Sequence, residues 1–234
     1  MILVFPQATK KFNKLFTEMI KKSEASFFLD RSFSCYNMKQ ISKVLLIILN
    51  DKFIEDYLYE YLSKFSLTTK FKIIVLKKET LGSICTLLMA IPYLKNKSVM
   101  ISSLDQIILG NKIDVNNLLN KQNTKICVPT IKSNNKTLCY VLRDDLGRAI
   151  QLFEKKKISN EAILGVYLFK NFSDFFNTSN DLLIKYRGFS EKVFYSSDII
   201  NRLIKKHKVY FPVLELKYLK IRSIKTLKKI KKKY

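Results

Sequence analysis

Apolar and polar positions alternate between two textures along the chain. Short runs dense in branched apolar residues recur at 2–5 (ILVF), 44–49 (VLLIIL), 71–76 (FKIIVL) and 98–103 (SVMISS). Runs of this length and composition predict strands buried on both faces. Between them the apolar residues take helical spacing. Over 52–65, Phe53, Ile54, Tyr57, Leu58, Tyr61, Leu62 and Phe65 repeat at i, i+3, i+4 and i+7, and Asp51 stands where an N-cap is needed. A second helix is predicted over 83–94. Strand and helix in alternation predict βαβ units, hence an α/β fold with a mixed, mainly parallel central sheet.

The second half changes texture. The stretches 125–131 (KICVPTI), 137–143 (TLCYVLR) and 149–154 (AIQLFE) predict consecutive antiparallel strands, with turn signals at Asn134–Asn135 and in DDLG at 144–147. After them come an apolar stretch at 162–169, helices near 173–186 and 195–206, a strand at 209–216 and a basic terminal helix. No linker rich in Pro, Gly or Ser divides the halves, so the expectation is one domain over 1–234, with a ligand-binding half at 1–110 and a second half at 111–234.

Composition narrows the function classes. In 234 residues, 47% of them hydrophobic, the longest apolar run is strand-sized, so neither a membrane-spanning helix nor a secretory leader is expected and the protein reads as cytoplasmic. The four cysteines are scattered and there is one histidine, which argues against a structural zinc site and for reduced, buried thiols. The formal net charge of +24 invites a nucleic-acid reading. However, the lysines are spread over the whole chain and accompany abundant Asn and Ile, as an AT-biased coding sequence would write an ordinary surface, so nucleic acid is not the expected partner. Only the end, LKIRSIKTLKKIKKKY, concentrates charge. Its Leu219, Ile221, Ile224, Leu227 and Ile230 predict either a stripe packed on the sheet or a weak contact with anionic lipid.

Candidate chemistry gathers at predicted strand ends, where parallel sheets bind ligands. Asp105 follows the fourth strand, in the place for a carboxylate holding magnesium. Upstream, Thr80 and Gly82 lie in a strand-to-helix turn, where glycine lets backbone approach a ligand closely. Glu154 and Lys155 close a predicted strand and set a hydroxyl acceptor beside a cation. Gly165 interrupts the apolar run after it.

Together these residues resemble the sugar-phosphate nucleotidyltransferases, in particular the small bacterial members that serve capsule and surface-glycan synthesis. The family pattern T-x-G, with a later Thr, meets Thr80, Gly82 and Thr86. Its S-x-D-Q meets Ser103, Asp105 and Gln106. A G…E-K-x-x-I-S run meets Gly147, Glu154, Lys155, Ile158 and Ser159, and A-x-x-G-x-Y-x-F meets Ala162, Gly165, Tyr167 and Phe169. Glu191 and Tyr195, with Asn201, Leu203 and Ile204, complete the series.

The resemblance implies a Rossmann-like nucleotide-diphospho-sugar transferase domain in which a sugar phosphate, or a similar phosphoester, attacks the α-phosphorus of a nucleoside triphosphate and releases pyrophosphate. Asp105 would then hold Mg2+, Gly82 would lie against base or ribose, and Glu154 and Lys155 would receive the acceptor. Thr80, Gln106, Gly165 and Glu191 would complete the substrate contacts. One departure stands out. The family's glycine-rich triphosphate loop is replaced by PQATKKF, where Lys10 and Lys11 supply charge but no glycine. The late motif that brings a second acid falls on IRSIKTL at 221–227, without an acid. A non-catalytic relative that binds a nucleotide or a partner enzyme therefore stays open. So does a glycosyltransferase of related fold, although such enzymes usually hold metal with D-x-D and here Asp105 stands alone.

Overall fold

Each predicted strand of the first half forms in the computed structural model, which describes residues 1–64, 69–120, 124–186, 193–206 and 209–233. Strand β1 (Ile2–Gln7) leads into helices α1 (Lys10–Lys21) and α2 (Ala25–Ser34), then β2 (Lys43–Leu49), α3 (Lys52–Ser63) and β3 (Lys70–Leu76). Asp51 caps α3 as expected, its Oδ1 accepting from the Ile54 amide at 3.3 Å. The chain continues through α4 (Ser83–Leu88), α5 (Ile91–Leu94), β4 (Val99–Ile101), β5 (Gln106–Leu109) and α6 (Val115–Asn120). The expected helix over 83–94 is thus two short ones. Pro92 lies in the first turn of α5, where its missing N–H is harmless, whereas a continuous helix would need that amide to bond Leu88.

The second half supplies β6 (Ile126–Cys127), β7 (Thr130–Lys132), β8 (Cys139–Arg143), β9 (Ala149–Glu154), β10 (Glu161–Ile163), β11 (Tyr167–Phe169), α7 (Ser173–Lys185), α8 (Ser196–Lys206), β12 (Val209–Tyr210), β13 (Lys217–Lys220) and α9 (Ile224–Lys233). A seven-stranded sheet runs in the order β12-β6-β11-β4-β1-β2-β3. Its β1, β2, β3 and β4 are parallel and β11 is antiparallel to both neighbours, so the sheet is mixed and mainly parallel. The sheet draws strands from both sides of residue 110.

Alternation along the strands sends neighbouring residues to opposite faces. Leu3, Phe5, Val44 and Leu46 join Phe16, Phe28, Ile54 and Leu58 of α1, α2 and α3 on one face. Val4, Leu45 and Ile47 join Ile84, Phe175, Ile199 and Leu203 of α4, α7 and α8 on the other. This double cover explains why VLLIIL is apolar throughout.

Two expected strands divide between sheets. KICVPTI breaks at Pro129, which cannot donate to a ladder, so that β6 joins the large sheet and β7 a four-stranded sheet ordered β7-β10-β8-β9. The apolar stretch 162–169 divides in the same way at Gly165, whose φ of +81° turns the chain from β10 into β11. The expected strand over 209–216 shortens to β12. The basic terminal helix begins only at Ile224, because 217–220 forms β13 against β5. In α9 the stripe Ile224, Leu227 and Ile230 is buried in the core, while Lys225, Lys228, Lys229 and Lys232 face a shallow surface groove. Among the described residues no helix is long and apolar enough to cross a membrane.

Candidate functional site

Two cavities open at the carboxyl ends of β1 and β4 and share Gln7 and Lys220. The first, of about 240 Å³, reaches from Ser102 and Gln106 to Glu154, Tyr195 and Ser197. The second, of about 310 Å³, lies between α1 and the segment after β13, and brings Lys11, Lys14, Lys220 and Arg222 together with Glu18 and Asp105.

A chain of polar contacts crosses the junction. Gln7 Nε2 donates to Ser103 Oγ at 3.0 Å, Ser103 Oγ donates to Asp105 Oδ1 at 2.5 Å, and Asp105 Oδ2 lies 3.3 Å from Lys220 Nζ. Beneath it, the buried Ser102 Oγ meets Tyr36 Oη at 2.5 Å and accepts from Gln106 Nε2 at 2.6 Å. Burial pushes the Tyr36 phenol well above its ordinary pKa, so the proton stays on this network. Gln106 is itself buried, and an added Cβ at Gly165 would come within 3.0 Å of its Oε1. Gly165 therefore serves Gln106 as well as the turn.

Glu154 ends β9 and accepts from Ser197 Oγ at 3.1 Å. The neighbouring Cys139 thiol is raised by burial first and by the Glu154 carboxylate second. Lys155 holds a left-handed φ of +54°, which a lysine adopts only under constraint. Its Nζ sits 5.1 Å from the Tyr195 ring centroid and 3.4 Å from the Tyr195 hydroxyl. The ammonium thus lies against Tyr195, which lines the first cavity, while Lys155 itself is not among the lining residues. Asn201 pairs with both polar groups of Leu152, accepting from its amide at 2.6 Å and donating to its carbonyl at 3.0 Å, which fastens α8 to the open edge of β9.

Thr80 and Gly82 do something different from what the resemblance implies. Thr80 Oγ1 and Thr86 Oγ1 lie 2.6 Å apart and 3.1 and 3.2 Å from the Gly82 carbonyl, so that one hydroxyl donates to the other and the second donates to the carbonyl, closing the turn on itself. Gly82 has φ +99°, and an added Cβ would lie 2.4 Å from the Phe194 carbonyl oxygen. The backbone that its missing side chain admits is the chain's own. Ser83 beside it reaches the first cavity and Thr80 does not. Glu191 lies outside the described residues.

At the β1–α1 junction only Ala8 and Thr9 separate strand from helix. Thr9 caps α1 by accepting from the Phe12 amide at 3.1 Å, and the Lys10 amide donates to Glu79 Oε1 at 2.5 Å. The first turn thus already holds a carboxylate of the chain itself. Lys11 borders the second cavity, and Lys10 is exposed outside the residues that border either one.

Magnesium, expected on Asp105, meets a donor set that does not fit it. Asp105 already carries a hydroxyl on one oxygen and an ammonium on the other, and that ammonium stands where a magnesium ion would approach. Glu215 is exposed at the far end of the β5–β13 ladder, beside Gly110, and brings no second carboxylate to Asp105. Sequence reading passed over Gln7, Lys220, Arg222 and Ser197. Of these, Lys220 carried no local signal, because the alternation of 214–218 breaks at Leu219 and the lysine merges with the basic run after it.

No protein-family model matches the chain, and no curated protein matches it in sequence. Solved structures do match in fold. The nucleoside-diphosphate-sugar pyrophosphorylase of Vibrio cholerae superposes with a TM-score of 0.75 at 16% identity, covering 98% of each chain. A UDP-glucose pyrophosphorylase complexed with UDP-glucose gives 0.72 at 12%, covering 100% of this chain and 99% of that one. The inositol-1-phosphate CTP transferase of T. maritima gives 0.66 at 13%, covering 98% and 95%. The fold is that of the nucleotide-sugar pyrophosphorylases and related nucleotidyltransferases.

Proposed function

We propose that the protein is a nucleotidyltransferase of the sugar-phosphate type, acting on a nucleoside triphosphate and a sugar phosphate or related phosphoester in the making of surface-polysaccharide precursors. The observation that supports it most is the meeting of two cavities at Gln7 and Lys220, one bordered by Glu154 and Ser197 and the other by four cations. In this reading the acceptor lies in the first cavity and the phosphates in the second. An oxygen of the acceptor phosphate attacks the α-phosphorus at the junction, the bond from that phosphorus to the bridging oxygen breaks, and pyrophosphate leaves through the lysine-lined side. The protein's contribution is positioning and charge neutralisation. The pathway rests on the sequence resemblance alone. With the apolar stripe of α9 committed to the core, a weak contact with an anionic membrane would rest on its lysines.

A second reading, a relative that binds nucleotide without turnover, is favoured by Glu79 at the first turn of α1 and by the two-residue junction where a phosphate-binding loop would stand. One experiment separates the two: the purified chain is screened with nucleoside triphosphates and sugar phosphates for thermal stabilisation and for pyrophosphate release. Ligand at ~100 times its dissociation constant stabilises by about 2.7 kcal/mol. Loss of one preorganised donor costs about 10²–10³ in rate, so release is expected far below the ordinary ~1–10³ per second. Stabilisation with slow release supports the transferase, and stabilisation with none supports the second reading. If no triphosphate or sugar phosphate stabilises the chain, both fall.

A further inference from the structure

We infer that Lys220 takes the place of a divalent cation, so that the protein binds the phosphates of its nucleotide without metal. The inference rests on the nucleotide reading above and specifies what neutralises the ligand's charge.

Its basis is the placement of one ammonium group. The β5–β13 ladder pairs Lys217 with Leu109 and Lys220 with Gln106, and the Ile221 amide donates to the Asp105 carbonyl at 2.7 Å directly beyond. Backbone register therefore delivers Lys220 to Asp105. The carboxylate orients the ammonium, and Ser103 and Gln7 orient the carboxylate in turn. Lys220 borders both cavities, as the group that supports a phosphate passing between them must. The second cavity gathers four cations against two carboxylates, an excess of positive charge before any ion arrives.

A divalent ion would compete poorly here. Magnesium binds carboxylate oxygen at about 2.0–2.1 Å and requires a near-octahedral shell. To reach Asp105 Oδ2 it would have to enter beside an ammonium 3.3 Å from the same atom, and like charges at that separation repel in a partly desolvated site. An ammonium is a compact point charge with three donors, suited to phosphate oxygens.

The test is calorimetric titration of the full chain with ATP, CTP, GTP, UTP, dTTP and inorganic pyrophosphate, in excess EDTA and in excess magnesium chloride. For the best ligand the two dissociation constants are expected to agree within about threefold. Lys220→Met is expected to weaken binding in EDTA at least tenfold, about 1.4 kcal/mol, and to recover part of it in magnesium, because the freed Asp105 becomes available to the ion. Lys220→Arg keeps the charge and is expected to retain binding in EDTA, which guards against a folding defect in the Met variant. Wild-type binding that requires magnesium, or unchanged EDTA affinity in Lys220→Met, overturns the inference while leaving the nucleotide reading in place. If none of the probes binds in either condition, the nucleotide reading fails, and this inference fails with it.

Discussion

On the β9–α8 side of the cleft, residues that match the nucleotidyltransferase pattern are engaged within the chain itself: Thr80 with Thr86 across Gly82, Gln106 with the neighbouring Ser102 beneath Gly165, and Glu154 with Ser197. On the α1–β13 side the pattern has gone, and what replaces it is charge: Lys11, Lys14, Lys220 and Arg222 around a helix start without glycine. The difference separates two uses of a motif. Positions that shape backbone cannot change without moving the scaffold, whereas phosphate binding needs only positive charge and donors, which lysine can bring from another strand.

That contrast predicts where substitutions register. Gly82→Ala carries the largest expected effect, because a left-handed residue would acquire a Cβ 2.4 Å from a backbone carbonyl. A loss of about 3 kcal/mol is expected in urea unfolding, against a change within about 0.5 kcal/mol for Lys14→Ala on the exposed face of α1. Similar losses from the two variants would erase the distinction.

A smaller effect is expected from Lys155→Asn, a change that keeps a residue tolerant of positive φ while removing the charge. Affinity for a phosphorylated sugar should fall about tenfold, with affinity for nucleotide changed less than about threefold. Titration of both ligands decides it. Equal losses would mean that the cation beside Tyr195 belongs to neither cavity in particular.

The smallest concerns Thr9. Thr9→Ala should cost about 1 kcal/mol of stability through the lost cap, and Thr9→Ser should restore it. Pyrophosphate affinity is expected to stay within about twofold of wild type, since the first turn of α1 already binds Glu79. A clear loss of pyrophosphate binding with unchanged stability would return the α1 start to the phosphate site.

Periodicity and turn chemistry determined much of this protein unaided. The strands β1, β2 and β4 were legible because a strand covered on both faces must be apolar, β3, an edge strand with only Ile73 and Leu76 buried, because of its run of branched apolar residues, and α3 because its cap and its buried positions, Ile54, Leu58 and Leu62, are local in sequence. The position of Asp105 beyond β4 followed from the same reasoning. What Asp105 touches did not, because Lys220 lies 115 positions away and reaches it through strand pairing that no local pattern encodes. Gly165 was visible as a break whereas 125–131 read as one strand through Pro129, and that each break sends its two strands into different sheets depended on which partners stood ready on either side. For Gly82 the sequence specified a close approach of backbone, and only the tertiary structure decided that the approaching backbone is that of Phe194.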